Sequence, residues 1–574
     1  MGTPMTAAKS TVSVSLTDSS GLSASQTFTI VIPTTIAVTC TSRGNESVLT
    51  ASAPFAFLVK GIDANRDNAI AIAGSFTPNG DGTIKASSVD YTGFSTGHVQ
   101  LTVNLAKSGY SFGSDNRGCL TLSVSPVNPT AATARKAGPM LQARNTPKQS
   151  TRAAAVLAAA PSAISFSFVL GGKTESGFQS GRIIEVDGTT GALVTAGMMH
   201  VQSPAAFTLT SLQPNYAFGV DGWDAEFNRI ALAGTFMNSS GTLSGGVGDF
   251  NDQGFSQPVS GELDGGSGSI NATIDASTGR GTGGISFPTG GNSFVGLDFA
   301  FYVINESDFY VVSTDSPTDF VDANGLLSGR ALATKASFTP GALDDSYLLA
   351  GVGIDPNTFD IGRNIAEIGN FQASSGGAII SGNVYLNNAG GFGSQAISAG
   401  TYVTQVSGRT AITATGSGSP VAYLTGPSSD ENIIGFFVGT DSLNISGAVY
   451  RQTTGAPDFS ALNSSFAMGS EGDVDGLNGA IDGVFTFDGH GNYSATLDNA
   501  FFGAGQPTQG QTITGTLAVN TDGSGILSFP SGLTLEGGAS SWAILTNGTQ
   551  IFAIDNVAGS DPLLYVFTIE EQPD

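Results

Sequence analysis

Charge is scarce in this chain of 574 residues: Asp, Glu, Lys and Arg together make up 12% of it, about half the ~25% usual for soluble domains. What charge there is has mostly one sign, 46 acids against 21 Lys and Arg, for a formal net charge of −25. That excludes the basic face a nucleic-acid binder needs. Cysteine is nearly absent: Cys40 and Cys119 are the two present, in no CxxC or other metal-ligand spacing. A disulfide between them would suit a secreted protein, and two buried thiols are the plain alternative. The histidines are three, His98, His200 and His490, each in a different sequence context, so a His-type metal centre is hard to build. No apolar run approaches the ~18 residues of a membrane-spanning helix. Residues 1–10 carry no apolar core of a signal peptide.

Glycine and phenylalanine are plentiful, 79 and 36 residues, with 40% of the chain hydrophobic. That suffices for several packed cores and argues against wholesale disorder. Collagen is excluded because glycine follows no three-residue period. Alternation dominates instead. In Val99-Gln-Leu-Thr-Val-Asn-Leu105 every second residue is apolar, the period of a half-buried strand, and Ile513, Leu517 and Val519 share one face of another. Asn79-Gly-Asp-Gly82, Asp187-Gly188, Asp488-Gly-His-Gly491 and Asp522-Gly-Ser-Gly525 supply the positive φ angles of tight hairpins. The only helical stretch to suggest itself is 153–160. The chain reads as all-β.

Internal repeats organise it. Four segments open alike: Phe55-Ala-Phe-Leu-Val-Lys-Gly-Ile-Asp63, Tyr216-Ala-Phe-Gly-Val-Asp-Gly-Trp-Asp224, Tyr347-Leu-Leu-Ala-Gly-Val-Gly-Ile-Asp355 and Phe466-Ala-Met-Gly-Ser-Glu-Gly-Asp473. Each runs on into Gly-x-Phe, at Gly74, Gly234, Gly369 and Gly483, and then a glycine-rich hairpin. The units are 54–208, 212–340, 343–458 and 462–574, the first lengthened by a basic, Pro/Ala-rich insertion at 126–161 that reads as a disordered loop or a tether. Eight or nine strands per unit in hairpin order predict tandem antiparallel up-and-down β-barrels, with β-sandwiches as the alternative. Residues 1–33 hold one further hairpin and 34–53 a linker.

Two resemblances accompany this reading. Thr11-Val-Ser-Val-Ser-Leu-Thr-Asp-Ser-Ser-Gly-Leu-Ser-Ala-Ser-Gln-Thr-Phe-Thr-Ile-Val-Ile32 resembles the closing strands of bacterial immunoglobulin-like or cadherin-like domains, which implies a segment of a longer secreted protein. The Tyr-Ala-Phe, Ala-Gly-x-Phe and Ser114-Asp-Asn-Arg-Gly118 patterns resemble repeats of large secreted proteins of acidobacteria and related soil bacteria. This likeness covers most of 54–340 and fades in the third and fourth units. It implies an extracellular array protein and carries no catalytic residue to transfer.

Chemistry is sparse. Gly93-Phe-Ser-Thr-Gly97 matches the nucleophile-elbow string, yet its flanks read as β and the elbow needs a strand-to-helix turn. Calcium is the more plausible metal, because the first hairpin loop of each unit carries oxygen ligands: Asp63, Asn65 and Asp67; Asp224 and Glu226; Asp355 and Asn357; Glu471, Asp473 and Asp475. Solvated turn residues are the plain reading of the same pattern. Trp223 and Trp542 read as core or barrel-plug residues rather than sugar platforms. The low lysine content, acidic pI and Ser/Thr/Asn/Gly surface point outside the cell. The expectation is a non-enzymatic surface, adhesion or matrix-binding array meeting an extracellular polymer, surface or neighbouring subunit. The alternatives are a secreted polymer hydrolase and a filament subunit that donates its N-terminal hairpin.

Overall fold

The computed structural model describes residues 8–17, 23–32, 40, 43–49, 54–62, 69–93, 97–126, 162–171, 178–186, 194–223, 229–252, 259–271, 273–288, 294–315, 326–354, 364–388, 391–414, 420–426, 432–440, 443–452, 462–471, 479–501, 508–520, 522–530, 541–546, 550–556 and 564–568. Every repeat unit closes into a ring of eight antiparallel strands. In the second unit these run from Asn215–Trp223 to Leu326–Ala333, and first and last strands pair. The fourth unit closes the same way, Ser465–Ser470 against Leu564–Thr568. The first and third also pair first strand with last, but their fourth strand is broken in two. In the first unit Gly97–Val103 and Gly109–Phe112 both lie along Arg117–Pro126. In the third, Gly391–Ile397 and Gly400–Thr404 both lie along Ala378–Asn388. A short 3₁₀ turn at Leu105–Lys107 fills the first break, so Leu105 leaves the alternation expected of it and is exposed.

The recurring Gly-x-Phe follows from interior packing. Phe57 faces Gly74 across the first hairpin, and a Cβ on Gly74 would lie 2.5 Å from the Phe57 ring. Phe218 faces Gly234 in the same register, where a Cβ would approach the ring to 2.9 Å. Glycine there lets a large neighbour lie across the sheet, while the Phe two residues on fills the interior. Phe76, Phe236, Phe371 and Phe485 are all buried in their barrel cores. Trp542 is fully buried in the fourth, edge-on to Phe529 with ring centroids 4.7 Å apart. The barrels are filled by side chains, as small barrels usually are.

Up-and-down order sorts the connections. Loops after odd-numbered strands leave from one end of each barrel, loops after even-numbered strands from the other. The second end is tight. Its turns include Asn79-Gly80-Asp81-Gly82, where both glycines have positive φ, and Ser240-Gly241. It also receives the segments joining one unit to the next, which plug it: Leu212, Leu343 and Leu462, each four residues before a first-strand aromatic, are buried in the cores. Leu49 is the counterpart in the first barrel, held by the 3₁₀ turn Glu46–Val48 and by the Tyr110 hydroxyl donating to the Glu46 carbonyl at 3.1 Å. A disulfide ties Cys40 to Cys119 on the wall of this barrel, Cα atoms 5.5 Å apart. Upstream, Ala8–Thr17 and Ser23–Ile32 pair as a separate antiparallel hairpin.

The units are not beads on a string. Strands one and two of each barrel pack on strands six to eight of the next, and the fourth barrel packs in the same way on the first. Small residues on one side meet larger ones on the other: Ala56, Ala71 and Ala73 against Tyr302 and Tyr310, and Ala217, Ala231 and Ala233 against Tyr423 and Phe436. One head-to-tail interface thus repeats until it closes, which makes the chain a ring of four barrels with pseudo-fourfold symmetry.

Candidate functional site

The chemistry-bearing side chains of the described structure concentrate in the seams. The third strand of the first barrel carries Asp90 outward, fully buried against the second barrel. Arg280 donates to both its oxygens, Nε at 2.6 Å and Nη2 at 2.8 Å, and the Tyr302 hydroxyl donates at 2.6 Å. His98 Nε2 lies 2.7 Å from Oδ1. The next seam repeats this arrangement. Asp249 accepts from Arg409 Nε at 2.7 Å, Nη2 at 2.8 Å and the Tyr423 hydroxyl at 2.5 Å. In the seam between the fourth and first barrels, Asp498 accepts from Arg117, from the Ser167 hydroxyl at 2.7 Å and from the Gly510 amide at 2.7 Å. The seam between third and fourth barrels has no ion pair in this row. There the equivalent cross-strand positions hold Tyr385, Ser524 and Leu545, and the contact is largely apolar, with Phe552 and Ile368.

Electrostatics follow burial and pairing. Burial pushes the Asp90 carboxyl up, but hydrogen bonds and charge from Arg280 and His98 outweigh it and hold the group well below the usual carboxylate range. Burial, then the Asp90 charge, drives the Tyr302 phenol far up. Hydrogen bonding to Asp249 raises the Arg409 guanidinium. Such fixed pairs hold geometry.

Cavities lie between barrels; an open cleft of about 570 Å³ separates Ser88 and Gln100 of the first barrel from Asp275 and Arg280 of the second, and two smaller ones sit deeper. One, of about 120 Å³, lies where all four barrels meet; Met198, Arg330, Ala448 and Val566 are among its lining residues. Lys60 and Glu471 also reach this cavity, Lys60 pairing with Asp221 and Glu471 with Arg182 at 3.0 Å. The other, of about 160 Å³, is walled by three barrels and includes His200, Arg330, Asp308 and Gln202. Arg330 grips Asp308 through Nε at 2.9 Å and Nη2 at 2.6 Å, while His200 Nδ1 lies 2.5 Å from the Tyr310 hydroxyl.

The residues expected to bind calcium fall elsewhere. Asp63, Asn65, Asp67, Asp224, Glu226, Asp355, Asn357, Asp473 and Asp475 all lie outside the described residues, as does nearly all of the basic insertion. The first strands that precede them, ending at Ile62, Trp223, Ile354 and Ser470, run to the end of the barrels opposite the plugs; Glu471, just past the last of these, turns to Arg182. Among the described residues no group of three or more His, Cys, Asp or Glu could hold a metal ion. Gly93 and Gly97 are antiparallel partners on consecutive strands, so the elbow-like string joins strand to strand and not strand to helix; its residues 94–96 lie outside the described residues, and His98 serves Asp90. His490 sits exposed in a hairpin turn. Trp223 ends the first strand of the second barrel, half-buried.

Neither Asp90, Asp249 and Asp498 nor Arg117, Arg280 and Arg409 stood out by residue type. Their signal was positional. Each Asp lies fifteen or sixteen residues after the Gly of Gly-x-Phe, and each Arg opens a fifth strand directly after a positive-φ residue, Asn116, Gly279 or Gly408. The Ser114-Asp-Asn-Arg-Gly118 string is therefore the turn that aims Arg117 into a seam.

Comparison with known protein families finds none that matches this chain, and comparison with curated proteins finds no match.

Proposed function

We propose that this chain is an extracellular, non-catalytic surface or matrix-binding protein whose ring presents the ends of its four barrels opposite the plugs as one composite contact face. The observation that carries the reading is the closed repetition of one seam. Barrels related by a common rotation turn the same end to the same side, so the ends of the four first strands, Ile62, Trp223, Ile354 and Ser470, share a face. Binding through several loops on one rigid frame gains avidity without any single loop binding tightly. The disulfide between Cys40 and Cys119 supports a location outside the reducing cytosol.

Exchange of all four first-hairpin loops (63–68, 224–228, 355–363 and 472–478) for Gly/Ser loops tests this. Co-sedimentation with insoluble polysaccharides and with bacterial cell envelopes should be retained by the parent and lost by the exchanged chain. Altering the plugged-end turns, such as 79–82 and 488–491, should leave binding intact. Binding that survives the first exchange and fails with the second, or release of soluble sugars from the polymer, would overturn the proposal.

A further inference from the structure

The four seams share one row of positions, and one of them breaks the pattern. Beside the acidic residue of the third strand, the second strand places Ala73 next to Asp90 and Ala233 next to Asp249, and Ile368 next to Tyr385. In the seam between fourth and first barrels that position is Asp482, cross-strand partner of Asp498. Both are fully buried, Asp482 at 1% exposure. Two carboxyl groups thus meet one guanidinium. Arg117, the Ser167 hydroxyl and the Gly510 amide are all committed to Asp498. Neither Asp482 oxygen has a hydrogen-bond partner among the described residues. From the first barrel, Arg117, the Ser167 hydroxyl and Arg43 face Asp482; Asp115 stands behind Arg117 and takes part of its charge.

We propose that this seam is a proton-operated clasp, closed while the Asp482–Asp498 pair retains a proton and loosened when that proton leaves. A second buried carboxylate beside Asp498 has no counter-charge of its own, and like charges sharing a site cannot both ionise cheaply. Burial first, and the Asp498 charge second, push the Asp482 carboxyl well above the ordinary range, in keeping with that geometry. The sign of the linkage follows. The closed seam holds the proton more tightly than the open one, so acid closes the seam and rising pH opens it. Topology makes this seam the natural one to yield. The other three join barrels consecutive in the chain through segments 202–214, 334–345 and 452–464, whereas the fourth and first barrels are joined by no such segment.

Hydrogen exchange on the full chain between pH 5 and pH 9, corrected for the intrinsic pH dependence of exchange, reads the clasp directly. Amides of Ser180–Glu185 and Gly479–Phe487 report the closing seam, and those of Arg229–Ser239 and Ile433–Gly439 the second seam, held by Asp249, Arg409 and Tyr423, as an internal control. The opening constant of the closing seam should rise by up to about tenfold per pH unit above the pKa of Asp482 in the open seam, while the control seam stays level. Asp482→Asn and Asp482→Ala, the latter placing there the residue found at Ala73 and Ala233, should each abolish the rise. A wild-type protein whose two seams follow the same pH trend would overturn the proposal without recourse to any variant. So would a slope that survives in both substituted proteins.

Discussion

Asp90→Ala should open the seam between the first and second barrels at a cost that can be worked from its contacts. The carboxylate takes two hydrogen bonds from Arg280 and one from Tyr302, and meets His98, in a site from which water is excluded. Removing it strands Arg280, whose side chain is only 15% exposed. Breaking one partner of a buried ion pair costs about 3–5 kcal/mol, most of it the penalty of the orphaned charge. The seam between third and fourth barrels shows that the same row can be filled without an ion pair, with uncharged Tyr385 and Ser524 in place of an Asp and an Arg. Asp90→Leu combined with Arg280→Met should therefore recover stability to within about 1–2 kcal/mol of the parent, the remainder being the Tyr302 hydroxyl left with Ser88 at 3.3 Å. Urea unfolding at pH 7 of the parent, Asp90→Leu, Arg280→Met and the double variant gives the cycle, with Asp90→Ala measured beside it. A single variant costing under about 1 kcal/mol, or a double variant as unstable as the sum of the singles, would refute the view that buried ion pairs lock the ring.

Other consequences are as direct. Because its folded pKa is depressed, Asp90 contributes stability at pH values above the ordinary 3.8, and that contribution is lost as pH falls below it; acid unfolding of Asp90→Asn should lack this component. Gly219→Leu should cost about 1–3 kcal/mol in thermal or urea unfolding, since even a Cβ there would lie 2.8 Å from the Cβ of Phe436 in the third barrel. Reducing the disulfide, which spans a separation of 79 residues, should lower the stability of the first barrel by about 2–4 kcal/mol, read as a fall in its melting temperature under reductant. Deleting residues 1–39 should leave a folded monomer by size exclusion, whereas deletion to residue 50 should destabilise the first barrel by removing Cys40 and the Leu49 plug.

The barrels were legible in the sequence because their signals are local. Period-two alternation, Asp-Gly turns and four copies of a first strand followed by Gly-x-Phe fix eight-strand units without knowledge of what packs on what. The broken fourth strands were less so: Leu105 keeps the alternation in sequence while its backbone has already left the strand. The ring was not legible as a pattern of one residue type, because its seams depend on surfaces that meet far along the chain. Arg117 and Asp498 are 381 residues apart. Low charge did carry information. Of the few basic residues outside the insertion, Arg117, Arg182, Arg280 and Arg409 are held in seams. The calcium expectation rested on loops that follow first strands, and their acids lie outside the described residues.

Small-angle X-ray scattering of the full chain at pH 5–6 tests the closed ring most directly. Compact-domain scaling for 574 residues gives a radius of gyration of about 25 Å, and a ring of four side-by-side barrels with a short N-terminal hairpin should fall at roughly 25–30 Å. Four barrels of about 13 Å each strung in an open row would exceed roughly 35 Å, and that value would contradict the ring.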